Sequence, residues 1–78
     1  MASFVVEQRL QKFLGKSGIT YMVNYNPETH WSPFRETTEG WISLKDDNQA
    51  RAAAIDCGAV GSPKEHPTHY FWQQLMPR

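Results

Sequence analysis

The side chains that could ligate a metal ion are Cys57 and three histidines, His30, His66 and His69. A structural zinc site needs four ligands, usually with two of them in a tight C-x2–4-C or H-x3–5-H pair. Only two residues separate His66 from His69, Cys57 stands alone, and His30 lies in a distant segment. This spacing favours solvated or hydrogen-bonded side chains, so we expect no metal and no cofactor. A zinc-dependent domain is the least favoured hypothesis.

No set of side chains has the pattern of an acid–base or nucleophilic catalyst. Cys57 comes at the C-terminal end of a predicted helix, where the helix dipole disfavours the thiolate that a nucleophile needs. Asp46 and Asp47 are explained as a helix cap, while Glu36 and Glu39 fall in a polar segment. We therefore expect a chain that is not an enzyme.

Gly58 and Gly61 have a GxxG spacing, and such a loop can present backbone N–H groups to a phosphate. This loop follows a predicted helix and does not precede one, so it lacks the positive end of a helix dipole. The spacing therefore indicates a plain connector.

Aromatic residues are the most informative feature of the chain, since ten of its 78 residues are Phe, Trp or Tyr. A disordered segment rarely carries so much apolar ring surface, so the chain has the means to fold. A domain of this size cannot easily hide all of it, which favours a contact surface. Trp, Tyr and Arg are enriched where proteins bind one another. The predicted partner-binding residues are Trp31, Phe34, Arg35, Trp41 and Trp72.

The alternative partner is a nucleic acid, because single strands stack their bases on aromatic rings of a sheet face. The residues for this hypothesis are Tyr21, Tyr25, Tyr70 and Trp72. Eight Lys and Arg residues balance eight Asp and Glu residues, so no net charge attracts phosphate. Neutrality favours a protein partner. A third interpretation, in which most rings form the core, stays open.

The predicted elements begin with a helix over residues 3–14, capped by Ser3 and ended by Gly15. Its apolar stripe is Val6, Leu10, Phe13 and Leu14, at i, i+4, i+7 and i+8. Residues 19–25 alternate as a strand that ends at Pro27. Residues 27–39 show no period and predict a loop, in which Trp31 is expected to be a contact residue.

A short strand is predicted over residues 40–44, followed by a helix that starts at Asp46-Asp47-Asn48 and stops at Gly58. Its seam consists of small residues: Ala50, Ala53, Ala54 and Cys57. Residues 68–76 fit either a strand or a helix capped by Thr68, and the run Tyr70-Phe71-Trp72 favours the strand.

The predicted fold is one small α+β domain spanning residues 1–78, in the order α-β-β-α-β. It has a three-stranded, mainly antiparallel sheet with two helices packed on one face. The N-terminus has no secretory pattern and no stretch suits a membrane span, so we expect a cytoplasmic protein without membrane partners.

The leading hypothesis is a small, non-enzymatic protein-binding domain, either a monomer or a weak homodimer. It would occupy the surface of another protein as an inhibitor or adaptor, as small proteins of viruses and mobile elements do.

Overall fold

The computed structural model describes residues 9–26 and 30–76, with only the backbone at Arg9, Tyr25, Asn26 and His30. The elements, in chain order, are β1 (Arg9–Leu14), β2 (Thr20–Asn26), β3 (His30–Thr37), β4 (Gly40–Ser43), α1 (Asp47–Asp56) and α2 (Thr68–Leu75). The strands form one antiparallel sheet in the order β1-β2-β3-β4. The fold is α+β as predicted, but the predicted order and the predicted three strands are wrong.

β1 is a strand where the sequence predicted a helix. It pairs with β2 from Leu14 opposite Thr20 to Arg9 opposite Tyr25. The i, i+4 spacing of Leu10 and Leu14 also fits a strand, in which both residues share one face. Pairing with β2 supplies the backbone hydrogen bonds, so tertiary context overrides the helical period. The rest of the predicted helix, residues 3–8, lies outside the described residues.

β3 occupies most of the segment predicted to be a loop, despite Pro33 at its centre. The nitrogen and oxygen of one strand residue point to the same side, and the Pro33 carbonyl accepts a hydrogen bond from the Leu44 amide at 2.9 Å. The N–H group that proline lacks would therefore have pointed towards Leu44, which lies beyond the end of β4 at Ser43. A proline is tolerated there because no ladder bond is lost.

The predicted strands at 19–25 and 40–44 are confirmed as β2 and β4. The predicted helix from Asp46 is confirmed as α1: the Asp46 carboxylate accepts from the Asn48 amide at 3.0 Å. At its other end, the Gly58 amide donates to Ile55 O and the Ala59 amide to Ala54 O, both at 3.0 Å. This bond pair is the Schellman motif, and Gly58 provides its positive φ of 114°.

α2 is a helix, so the favoured strand over residues 68–76 is wrong. A strand would place Phe71 and Trp72 on opposite faces, whereas in the helix both are buried in one core. Thr68 does not cap this helix, because its hydroxyl donates to the Asp47 carboxylate at 3.2 Å. Neither described helix, at 10 and 8 residues, has the length needed to cross a membrane.

The core lies between the sheet and both helices. Tyr21 and Val23 of β2 pack in one cluster with Ala53 and Ala54 of α1 and with Phe71 and Trp72 of α2. The Trp72 indole donates to the Ala50 carbonyl at 3.1 Å, and its ring lies 5.9 Å from that of Phe13. The small α1 seam lets this helix lie close to the large α2 rings.

Phe13→Ala should lower the free energy of unfolding by about 2 kcal/mol or more, because the Phe13 ring packs against Trp72. Leu10→Ala should change it by less than about 0.5 kcal/mol, since Leu10 is 61% exposed on the other face. Urea melts of the two variants measure both effects. Decreases of about 2 kcal/mol or more in both variants would indicate that Leu10 is a core residue like Phe13, as the helical stripe predicted.

Candidate contact surface

The two faces of the sheet differ in what covers them. The strand register places Phe13, Tyr21, Val23 and Pro33 on the face that packs against the helices. The opposite face, called the open face below, contributes no residue to the core cluster. Its described side chains are Leu10, Lys12, Leu14, Thr20, Met22, Asn24, Ser32, Phe34, Glu36, Trp41 and Ser43.

Lys12 and Trp41 reach towards each other across the open face. They belong to the two edge strands, whose axes are roughly 14 Å apart at the usual strand spacing. The Lys12 ammonium nevertheless lies 6.0 Å from the Trp41 ring centroid, within the range of a cation–π contact. To make this contact, both side chains must extend across the two central strands. Met22 and Phe34 of those strands are half-buried on the same face.

Only two of the five predicted partner-binding residues, Phe34 and Trp41, lie on the open face. Arg35 is exposed but belongs to the opposite face. Trp31 packs against the core from β3, so its removal is expected to reduce stability. Trp72 has no exposed surface, and we leave it out of the contact surface.

Four residues of the open face were not predicted to belong to a surface: Lys12, Met22 and the two exposed leucines, Leu10 and Leu14. The helix predicted over residues 3–14 placed Leu10 and Leu14 beside Phe13, on a buried stripe. The alternation of residues 10–14 as a strand is the signal that would have separated Leu10, Lys12 and Leu14 from Phe13.

The four residues of the nucleic-acid hypothesis do not form one exposed platform. Tyr21 and Trp72 are both in the core cluster. Tyr70 stacks on His66 with ring centroids 3.8 Å apart, and the side chain of Tyr25 lies outside the described set. Aromatic rings suitable for stacking on a sheet face are instead Phe34 and Trp41.

Asp56, the last residue of α1, holds the β1–β2 turn against the helix. Its carboxylate accepts from the Ser17 hydroxyl at 2.6 Å, the Ser17 amide at 3.0 Å and the Tyr21 hydroxyl at 3.0 Å. Hydrogen bonds from Ser17 lower the pKa of Asp56, while burial and the nearby carboxylate raise the pKa of Tyr21. A Cβ at Gly15 would overlap the Asp56 carboxylate, so the turn needs glycine there. These contacts are structural.

The candidate ligands of the least favoured hypothesis include His30, whose side chain lies outside the described set. His66 stacks on Tyr70, and Cys57 ends α1, where burial, with a contribution from Asp56, raises the pKa of its thiol to about 11. Within residues 9–26 and 30–76, no three His, Cys, Asp or Glu side chains are placed to hold a metal ion.

No protein-family model, curated protein or solved structure matches this chain. Function must therefore be inferred from the chemistry of its own surfaces. The open face combines large apolar side chains with an aromatic ring and a cation.

Replacing Asp56 with Asn should make the protein less stable at neutral pH and flatten the fall of stability in acid. The pKa of Asp56 is lowered from 3.8 in the folded state. Its contribution is therefore complete above the unfolded-state pKa and is lost as the pH falls through the lower folded-state pKa. Urea melts between about pH 2 and 7 measure this dependence. Glu39→Gln, on an exposed turn, is the control, and an Asp56→Asn profile parallel to wild type would contradict the expectation.

Cys57 should react slowly with iodoacetamide. A thiol pKa of about 11, against an ordinary 9.0, lowers the thiolate fraction near neutral pH roughly 100-fold. Alkylation followed by mass spectrometry measures the rate, and the same reaction in urea gives the unfolded control. Equal rates in the folded and unfolded chains would contradict the raised pKa.

Proposed function

We propose that the chain is a small protein-binding domain that attaches to a partner protein through the open face. The observation that carries this proposal is that Met22, Phe34 and Trp41 share one face of the sheet, which neither described helix covers. Leu10 and Leu14, 61% and 72% exposed, extend the same apolar surface along β1. Exposed apolar groups that share one surface are typical of an interaction site.

The charges of the open face favour a protein over a nucleic acid. Its described charged side chains are Lys12 and Glu36, which cancel. A nucleic-acid surface needs several cations, because phosphate neutralisation supplies much of the affinity. Apolar residues accompanied by equal numbers of positive and negative charges instead match the composition of protein interfaces.

Trp41 is the anchor of the proposed interface. A partner that binds the open face must either cover the Trp41 ring or displace it from Lys12. Breaking a cation–π contact at an exposed site costs about 0.5–1 kcal/mol. A buried tryptophan hot spot contributes about 2 kcal/mol or more. Rearrangement of this side chain is therefore compatible with tight binding, and the chain would act as an inhibitor or adaptor by occupying its partner's surface.

The proposal is tested by affinity capture with Trp41→Ser and a matched control, Ile42→Ser. Ile42 is the next residue of β4, is 54% exposed and lies on the opposite face. Wild type and Ile42→Ser should retain the same stoichiometric protein after nuclease treatment. Trp41→Ser should lose it, with at least a tenfold weaker affinity, while keeping a wild-type melting transition.

Three results would contradict the binding of a foreign protein through the open face. Captured material that disappears on nuclease treatment would indicate the nucleic-acid hypothesis. Equal retention by Trp41→Ser and wild type would place the contact elsewhere. A homodimer that Trp41→Ser dissociates, with no foreign protein captured, would mean that a second copy covers this face.

A further inference from the structure

A second candidate site lies where β3, β4 and both helices meet. The cavity there has a volume of about 500 Å³, within the range of about 300–1,000 Å³ that is usual for small-molecule sites. The residues that line it include Trp31 and Leu44 as well as Lys45, Arg51 and His69. Apolar and cationic groups therefore face the same space.

Arg51 is the most informative residue of this cavity. It is half-buried, yet no carboxylate among residues 9–26 and 30–76 forms an ion pair with it. Its Nη2 donates to the Asn48 side-chain oxygen at 2.7 Å, and its Nε is buried without a hydrogen-bond partner. Arginine is rarely withdrawn from water unless it is paired. The Arg51 side chain therefore brings to the cavity a positive charge that is not paired with any described carboxylate.

The first turn of α2 adds hydrogen-bond donors to the same cavity. Thr68 and His69 line it, and no side chain caps this helix end. The Asp47 carboxylate is also at the cavity, but it accepts from the Thr68 hydroxyl. Two permanent cations thus face one carboxylate, which leaves a positive balance that the helix dipole increases.

We propose that this cavity binds a small anion attached to a flat ring, such as a nucleoside monophosphate or an aromatic carboxylate. Arg51 and Lys45 would hold the oxyanion together with the amides that begin α2. The ring would pack against Trp31, since aromatic and heterocyclic rings stack favourably. Of its lining residues only Ser32 and Ser43 also belong to the open face, and the site does not depend on the proposed protein binding.

The test is a titration of the isolated chain, followed by amide chemical shifts, with AMP, benzoate, adenosine and inorganic phosphate. AMP or benzoate should saturate with shifts at Thr68 and His69. Adenosine, which lacks the anionic group, and inorganic phosphate, which lacks the ring, should each bind at least tenfold more weakly than the tighter of AMP and benzoate. The tighter of AMP and benzoate identifies a phosphate or a carboxylate as the preferred group.

Arg51→Gln and Lys45→Gln should each weaken the tighter ligand at least tenfold, and the exposed position of Lys45 keeps the second variant folded. Lys12→Gln removes a cation from the open face and should leave the affinity unchanged. The proposal is overturned if neither AMP nor benzoate saturates. It is also overturned if inorganic phosphate binds as tightly as they do, or if Lys45→Gln weakens binding no more than Lys12→Gln.

Discussion

The burial of Phe71 and Trp72 between the sheet and α1 is the constraint on which the rest of the structure depends. Both rings come from one helix of 8 residues, and α1 has 10. At 1.5 Å per residue these helices are about 12 and 15 Å long. Two such short elements pack on one face of a four-stranded sheet, so the core forms on that side and neither described helix covers the other face.

The open face follows from this division. Met22 and Phe34 come from the two central strands, and the Lys12–Trp41 contact extends across the same face. That contact is weak, so a partner surface can replace it at small cost. The core on the other face is different in kind, because Trp72 combines complete burial with a hydrogen bond to α1.

Local signals predicted the elements that depend on local bonds. The Asp46 cap and the Gly58 stop define α1 through hydrogen bonds to their own neighbours, so its limits could be predicted from the sequence. β1 and α2 could not be predicted in this way, because their partners lie outside their own segments. β1 pairs with β2 along Arg9–Leu14. In α2, the Gln74 side chain accepts from the Val60 amide at 3.0 Å and donates to the Val60 carbonyl at 2.9 Å. Phe34 and Trp41 were predicted as contact residues from composition alone, but the surface around them depended on the register of β1.

The most direct measurement is chemical-shift mapping of the isotope-labelled chain, free and bound to the partner that affinity capture identifies. If the open face is the interface, the perturbed side chains are Leu10, Met22, Phe34 and Trp41, together with loss of the Lys12–Trp41 contact. Ile42 and the Trp72 indole would keep their free-state shifts. Perturbations centred on Ile42, Arg35 or the exposed surface of the helices, with Trp41 unchanged, would contradict binding through the open face.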